Sequence, residues 1–275
     1  MKIPLFYVDA FTNEVFKGNP AAVCLLESWL PDDVLQSIAA EHNLSETAFV
    51  VREDKEIFQL KWFTPKVEVD LCGHATLGSA HVLFSIYNFG NKPILFKTKS
   101  GVLPVKHAND GKLILDFPAA QFESYKDSAK VAEALNTEVK EALLTRNRLM
   151  VTLNSEKDVI KLTPDFSKLK ELDARAVMVT APGIDCDFVS RYFAPKVGIN
   201  EDPVTGSAHC SLVPYWAKVL KKNKLHALQL SERTGELWCE LSGDRVLISG
   251  YAITYMQGTI SITIKPPSNL VAFTE

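Results

Sequence analysis

The sequence lacks the features that mark most metal, nucleotide and membrane proteins. Its 275 residues include five cysteines, at irregular spacing and without a Cys-x-x-Cys pair, which argues against a disulfide framework or a zinc site. The chain has no Gly-x-Gly-x-x-Gly loop, so the sequence does not favour a Rossmann dehydrogenase. No apolar run reaches the roughly 18 residues that a membrane-spanning helix needs.

Positive charge is also scarce. The formal net charge is −3 and the isoelectric point is about 6.1, so no broad positive field is present to hold nucleic acid or an anionic membrane. The one basic cluster, Lys218 to Lys224, is more typical of a solvated helix end. Because no signal-peptide pattern follows Met1, and no disulfide framework is expected, we predict a soluble cytoplasmic protein.

An internal repeat is the most informative feature present. The segment 62–69 (WFTPKVEV) matches 192–199 (YFAPKVGI), with four of eight positions identical. After a slip of two residues, 78–81 (GSAH) matches 206–209 (GSAH). Two blocks in the same order at nearly the same offset indicate two similar domains of about 130 residues, a spacing far too long for a solenoid.

The hydrophobic pattern predicts many short strands and one apolar helix in each half. A helix that is apolar on every side is expected to be buried. The fold class is therefore predicted as α+β, with two pseudo-symmetric domains, each a curved, mainly antiparallel sheet around a central helix. Predicted helices span 32–42, 75–86 and 206–220, and predicted strands span 3–9, 20–26, 47–52, 57–63, 93–98, 101–107, 112–117, 175–180, 187–193, 226–231, 237–241, 244–249 and 252–263.

The domain boundary is placed where strand character is lost, at residues 118–130. This gives an N-terminal domain of residues 1–118 and a C-terminal domain of residues 119–263. The last residues, about 264–275, are expected to return to the first domain. No motif can be placed in residues 119–170.

The repeat also distinguishes positions that the two halves share, which are expected to be structural, from positions that differ, which are candidates for catalysis. At an offset of 130 residues, Cys72 aligns with Asp202, and both precede a predicted buried helix. Helix N-termini offer unpaired N–H groups and the positive end of the dipole, which suits a carboxylate. Two such helix starts facing one cleft predict a site for a small anion, with different side chains on its two faces.

Glu46 has no acidic counterpart, because Ala176 stands at the equivalent position. From the local sequence alone, Glu46 can equally be a solvated turn residue or an acid that holds backbone N–H groups. His74 can be an ordinary helix-start residue, Asp202 and Ser207 can be helix caps, and Cys72 can be a small buried residue. These alternatives stay open at the level of the residues.

Several segments together resemble the PhzF family of phenazine-biosynthesis-like isomerases, within the diaminopimelate epimerase-like fold. They occur in the family's order and span most of the chain. The matching segments are 8–12 (VDAFT), 16–23 (FKGNPAAV), 45–49 (SETAF), 63–65 (FTP), 70–76 (DLCGHAT), 191–195 (RYFAP) and 202–209 (DPVTGSAH).

The resemblance implies an isomerase that moves a proton without a cofactor or a metal, in a cleft between two domains, and it implies a homodimer. It implies that Glu46 is the general acid and base, accompanied by catalytic residues His74, Asp202 and Ser207. Substrate contacts are expected from the helix-start residues Cys72, Gly73, Thr205 and Gly206. The substrate is expected to be a small carboxylate metabolite.

Two other functions remain open from the sequence. Related epimerases use two opposed cysteine bases, so Cys72 and Asp202 could form an asymmetric pair in an epimerase or racemase. A chain that keeps the fold could also bind a small molecule without catalysis. Loss of turnover on thiol alkylation would favour the epimerase, and binding without exchange of solvent deuterium would favour the binding protein.

Overall fold

Each half of the chain folds as curved β-strands around one apolar helix, as the sequence predicts. The computed structural model describes residues 1–263 apart from residues 88, 90 and 91. Within these residues, no helix is both long enough and apolar enough to cross a membrane. All five cysteines are free, in agreement with the expected absence of disulfides.

Among the described residues of the first half there are eight strands and two helices. They are β1 (Lys2–Ala10), β2 (Asn19–Leu26), α1 (Asp32–His42), β3 (Glu46–Arg52), β4 (Ile57–Phe63), β5 (Glu68–Val69), α2 (Gly73–Ile86), β6 (Ile94–Thr98), β7 (Gly101–His107) and β8 (Leu113–Pro118). The predicted helix 32–42 is confirmed, and the predicted helix 75–86 begins two residues earlier, at Gly73.

In the described part of the second half there are ten strands and four α-helices, besides a short 3₁₀ helix at Pro195–Val197. They are β9 (Glu123–Ser124), α3 (Ser128–Leu135), β10 (Glu141–Thr145), β11 (Arg148–Thr152), α4 (Glu156–Ile160), α5 (Phe166–Glu171), β12 (Ala176–Pro182), β13 (Phe188–Ala194), β14 (Ile199–Asp202), α6 (Gly206–Leu220), β15 (Lys224–Gln229), β16 (Gly235–Ser242), β17 (Arg245–Gly250) and β18 (Ala252–Ser261). Helix α6 begins and ends where the sequence predicts.

The central helices α2 and α6 are buried because their composition leaves no polar face. In α2, every residue from Gly73 to Ala80 is buried, and a Cβ at Gly78 would lie 3.5 Å from the Val8 side chain of β1. In α6, Ala208, Leu212 and Val213 are buried in the same core. Burial fixes both helices in place, and their N-termini meet.

The structural repeat in the second half includes strand β11, which lies before the segments that match in sequence. Strands β2 and β3 are parallel with Ala21 beside Glu46, and strands β11 and β12 are parallel with Arg148 beside Ala176. Strand β11 is thus the counterpart of β2, in the region where no motif could be placed. The same register confirms that Ala176 occupies the position of Glu46.

Two of the equivalences drawn from the repeat are wrong. Trp62 pairs with Val69, whereas the matching Tyr192 pairs with Asp202, so the second half is three residues longer at this point. Asp202 is therefore the counterpart of Val69 and not of Cys72. The counterpart of Cys72 is Thr205, since each immediately precedes its helix.

The matching segments 78–81 and 206–209 are also not structurally equivalent. Gly206 is the first residue of α6, whereas Gly78 is the sixth residue of α2. His81 and His209 consequently occupy different helix positions. His81 contacts Thr254 Oγ1 through Nε2 at 3.1 Å, and His209 Nδ1 lies 3.0 Å from the Thr205 carbonyl oxygen. Both contacts keep these histidines in structural positions.

Backbone pairing ties the two halves together at two places. Strand β17 runs antiparallel to β8, and strand β18 runs antiparallel to β1 along its whole length. The chain after β17 therefore returns to the first strand. The domain boundary at residue 118 stays a prediction, and the expected return of residues 264–275 lies outside the described residues.

Candidate active site

The N-termini of α2 and α6 face a cavity of about 380 Å³. A larger groove of about 660 Å³ lies between α1 and the end of β18, but it contains none of the predicted site residues. The 380 Å³ cavity is lined by all eight of them: Glu46, Cys72, Gly73, His74, Asp202, Thr205, Gly206 and Ser207. The structure brings these residues together, and their roles stay predictions.

The two helix starts approach each other through glycine. A Cβ at Gly73 would lie 3.5 Å from the Gly206 Cα, and a Cβ at Gly206 would lie 3.2 Å from Cζ of Phe11. No side chain within the described residues caps either helix. Ala208 N–H already donates to the Thr205 carbonyl, so the N–H groups at the first two positions of each helix, Gly73, His74, Gly206 and Ser207, are the ones that can bind an anion in the cavity.

Glu46 begins strand β3 and projects toward α2. Its Oε2 lies 3.2 Å from Nε2 of His74, and its side chain is 14% exposed. Burial, followed by the negative charge of Asp202, raises the pKa of Glu46 to about 8, while a hydrogen bond with Cys72 opposes the rise. A carboxyl whose pKa lies near neutrality can both give and take a proton.

Asn19 connects the acid of one half to the imidazole of the other. Its side-chain amide donates to Oδ1 of Asp202 at 2.8 Å and to the carbonyl of Val204 at 2.9 Å, and it lies 3.2 Å from Nδ1 of His74. A hydrogen on Nδ1 of His74 would point at the amide nitrogen of Asn19, which is also a donor. We therefore assign the imidazole hydrogen to Nε2. The ring then donates to Glu46.

Asn19 is not among the site residues that the sequence predicts. It lies just before the predicted strand 20–26, whereas in the structure it is the first residue of β2. Gly18 adopts φ +65°, and a Cβ there would lie 2.2 Å from the Ala10 carbonyl oxygen, so glycine is required before Asn19. The Gly18-Asn19 pair is therefore the local sequence signal for this residue. The structure adds that the Asn19 side chain is wholly buried.

Asp202 is held in one orientation from both sides. Oδ1 accepts from Asn19, and Oδ2 accepts from the Thr205 hydroxyl. Gln229 supports the same turn, since its amide donates to the Asp202 carbonyl and its Oε1 accepts from the Thr205 N–H, each at 2.8 Å. Burial raises the pKa of Asp202 to about 6 despite these hydrogen bonds.

Two further residues predicted for the site, His74 and Cys72, are neutral at physiological pH. Burial lowers the pKa of His74 to about 3, so the imidazole is uncharged. Burial and the charge of Glu46 raise the pKa of the Cys72 thiol well above its usual value. A thiol that keeps its proton is a poor nucleophile and a poor base.

Two arginines complete the cavity wall, and the sequence analysis missed both. Arg148 Nη1 donates to the Ser207 hydroxyl at 3.2 Å, and its guanidinium lies 5.8 Å from the Tyr192 ring centroid. Arg175 lines the same cavity from the residue before β12. Burial raises the pKa of Tyr192, while both guanidiniums oppose the rise, which indicates that both cations act at this wall.

One cluster has the composition of a metal site. The donor atoms of Glu46, Cys72 and His74 all lie within 4.8 Å of one another, and zinc accepts such ligands. The same three groups already satisfy one another as hydrogen-bond partners. The expectation that the protein uses no metal therefore stays a prediction.

Comparison with known proteins agrees with this architecture. The family model described as "Phenazine biosynthesis-like protein" matches residues 8–258. An uncharacterized isomerase of Pseudomonas aeruginosa is 49% identical over 96% of this chain and all of its own length. The crystal structure of a phenazine biosynthesis protein of the PhzF family from Enterococcus faecalis, also 49% identical, covers 95% of this chain and all of its own with a TM-score of 0.92.

A more distant likeness concerns the fold alone. A hydroxyproline epimerase from Agrobacterium vitis superimposes with a TM-score of 0.59 at 10% identity, over 94% of this chain and 92% of its own. The α+β fold of two sheet-wrapped helices is thus shared with epimerases that have little sequence in common with this chain.

Proposed function

The chain belongs to the family of phenazine biosynthesis-like proteins, and on that premise we propose that it is an isomerase of a small carboxylate metabolite. Glu46 moves the proton from one carbon of the substrate to another, without a cofactor or a metal. The reaction takes place in the cavity between α2 and α6.

One observation carries this proposal. Glu46, a carboxyl with a pKa of about 8, lies 3.2 Å from the neutral imidazole of His74 in a cavity of about 380 Å³. A general acid or base works best when its pKa lies near the working pH, and such a group contributes roughly 10²–10⁴-fold to the rate. The opposite half carries Ala176 at the equivalent position, so in this proposal Glu46 both delivers and removes the proton.

The proton balance follows from that pKa. Near pH 7 most Glu46 side chains hold a proton, so the cycle starts with Glu46 as the acid. It delivers its proton to a carbon of the substrate's enol or enamine system and becomes a carboxylate. The carboxylate then removes a proton from a second carbon, the double bond shifts, and Glu46 returns to its starting form.

The neighbouring groups stabilise the charged stages of this cycle. In the intermediate, the Nε2–H of His74 donates a hydrogen bond to the Glu46 carboxylate. The contact with Asn19 keeps the imidazole hydrogen on Nε2. The N–H groups at Gly73 and Gly206 and the hydroxyl of Ser207 are placed to hold the substrate carboxylate. Asp202, held by Asn19 and Thr205, keeps the pKa of Glu46 high through its negative charge.

The epimerase with Cys72 and Asp202 as opposed bases is less well supported. Both residues line the cavity, but Asp202 is not the structural counterpart of Cys72. Burial raises the pKa of the Cys72 thiol, which disfavours it as a base. We therefore propose no second function.

The test is exchange of solvent deuterium. The protein is incubated in D₂O with a panel of small unsaturated carboxylates, and mass spectrometry measures deuterium on carbon. We expect incorporation that depends on the enzyme, and a loss of about 10²-fold or more in Glu46→Gln.

The matched control is Glu27→Gln, which removes a carboxylate from an exposed position after β2 and should leave exchange unchanged. Near-normal exchange in Glu46→Gln would refute the role of Glu46. Binding without any exchange in the native protein would refute the isomerase and favour a binding protein. The homodimer and the cytoplasmic location stay predictions.

A further inference from the structure

The loop between β1 and β2 leads directly to Asn19, and its backbone is strained. Phe11 adopts φ +62° and Phe16 adopts φ +70°, in a region that bulky side chains rarely occupy. Gly18 follows with φ +65°. Such conformations persist only where the surrounding structure holds them in place, and they occur most often at functional sites. The loop therefore depends on contacts from outside it.

Arg233, from the second half of the chain, makes several of these contacts. Its Nη2 lies 2.7 Å from Oδ1 of Asp9. Its Nε donates to the Gly18 carbonyl at 2.9 Å, and Nη2 donates to the Lys17 carbonyl at 2.8 Å. Asp9 Oδ2 accepts from the Phe16 N–H at 2.9 Å. The Asp9 side chain is 6% exposed, so water screens this ion pair less than one on an open surface.

The segment around Arg233 is also bonded to the turn that precedes α6. The Ser231 hydroxyl donates to the Pro203 carbonyl at 2.8 Å and accepts from the Thr234 N–H at 3.1 Å. The Thr234 carbonyl in turn accepts from the Gly18 N–H at 2.8 Å. One short segment of the second half therefore fixes the strained loop relative to the turn before α6.

Asn19 follows Gly18 directly, so its position depends on this attachment. Its amide nitrogen lies 2.8 Å from Oδ1 of Asp202 and 3.2 Å from Nδ1 of His74. The first partner belongs to the turn before α6, and the second belongs to the start of α2. A displacement of the loop by about 1 Å would take the amide out of hydrogen-bond range, which ends near roughly 3.2 Å for N–H donors.

We propose that Arg233 is a positioning residue, which acts on the site through Asn19. It holds the strained loop so that the Asn19 amide reaches Asp202 and His74 at once. None of its hydrogen-bond partners among the described residues lines the cavity, so its effect on the chemistry is indirect. The effect on turnover rests on the proposed function, whereas the effect on the Asn19 amide does not.

The first test is a double-mutant cycle on the rate of deuterium incorporation. The probe is the unsaturated carboxylate of the panel that the native protein labels fastest. Arg233→Gln should lower the rate about tenfold or more. The double variant Asn19→Ala/Arg233→Gln should lose no more than Asn19→Ala alone, because Arg233 acts through an amide that is already absent. Losses that multiply would overturn the inference, and so would an unchanged rate in Arg233→Gln.

The second test needs no substrate. Asn19 is wholly buried, so its side-chain amide hydrogens should exchange slowly with D₂O. NMR spectroscopy of the ¹⁵N-labelled protein follows them, with Asn19→Ala to assign the signals. Arg233→Gln should speed this exchange about tenfold or more, and unchanged protection would overturn the inference. If the native protein labels no substrate, the isomerase alone is refuted, and the amide measurement still decides the role of Arg233.

The matched control is Arg245→Gln. Arg245 also joins the two halves by an ion pair, with Nε 2.8 Å from Oδ1 of Asp116, but it lies at the start of β17, where that strand pairs with β8. Its replacement should leave the labelling rate and the protection of the Asn19 amide unchanged. Equal effects of Arg245→Gln and Arg233→Gln would overturn the inference, because both arginines would then act only by stabilising the fold.

Arg233→Lys keeps the inference testable if Arg233→Gln does not fold. Lysine retains a charge for Asp9, but it lacks the planar fork that reaches Asp9 and the Gly18 carbonyl together. We expect slower labelling and weaker protection of the Asn19 amide than in the native protein, by about threefold or more. Native values of both quantities in Arg233→Lys would overturn the inference.

Discussion

Replacing Glu46 by glutamine should stabilise the folded protein at neutral and alkaline pH. The ordinary pKa of a glutamate is 4.5, whereas the folded protein raises that of Glu46 to about 8. Between these values the folded state keeps a proton that the unfolded state has released. Stability from this group is therefore complete below about pH 4.5 and is lost as the pH rises to about 8.

The size of the effect follows from the two pKa values. Each unit of difference corresponds to about 1.4 kcal/mol of unfolding free energy. The shift from 4.5 to about 8 sets an upper limit of about 5 kcal/mol, and relaxation around Glu46 in its charged state reduces it. We expect a gain of about 2–5 kcal/mol in Glu46→Gln at high pH, and little difference near pH 4.

The assay is urea unfolding followed by circular dichroism, at pH values from about 4 to 9. The free energy of the native protein is subtracted from that of Glu46→Gln at each pH. Other titrating groups are common to both proteins, so the difference reports mainly Glu46. Glu27→Gln, whose carboxylate is exposed, should give a difference near zero throughout.

The opposite result is equally clear. If Glu46 only held backbone N–H groups or capped a turn, its replacement would lower stability, and most strongly where the carboxylate is ionised. A difference that stays flat or becomes negative between pH 5 and pH 8 would show that the pKa of Glu46 is not raised. The proposed proton cycle would then lose its physical basis.

Four further predictions concern the neighbours of Glu46 and the assembly. Asp202→Asn should move the pH profile of exchange to lower pH, because its charge raises the pKa of Glu46; a shift to higher pH would contradict this. Asn19→Ala should lower exchange about tenfold or more by freeing the His74 ring; an unchanged rate would remove its positioning role. Cys72→Ser should keep exchange within about threefold, whereas a 10²-fold loss would support the two-base epimerase. Sedimentation should show a homodimer, and a species of 30.5 kDa at micromolar concentration would contradict the family expectation.

The sequence predicted those parts of the fold whose signal is local. Helix α1 has its acidic first turn at Asp32 and its apolar spacing within eleven residues, so its bounds were read correctly. The buried helices α2 and α6 could be predicted because apolar residues occupy most sides of each helix. Strand β11, by contrast, carries no local motif, and only its parallel pairing with β12 identifies it as a repeat of β2.

The site was predictable only in part, for a geometric reason. Residues carried by recognisable motifs, such as His74 and Ser207, line the cavity as expected. Arg148 lines the cavity and Asn19 supports Asp202 behind it, each from the end of a strand, through contacts with residues 59 and 183 positions away respectively. A three-residue insertion before Asp202 also displaced the repeat alignment, so the sequence paired Asp202 with Cys72 when the structure pairs Thr205 with Cys72.

The asymmetry of the site arises from side chains on a nearly symmetric scaffold. Both halves supply a buried helix with an uncapped glycine start, and these two starts define where an anion can bind. At the entry of the paired strands, one half carries Glu46 and the other carries Arg148 and Arg175. A symmetric pair of bases would invert a carbon centre, since protons would be added and removed on opposite faces. One group that both removes and returns a proton can instead move it along one face of a bound anion, which is what a double-bond isomerase requires and a two-base racemase does not.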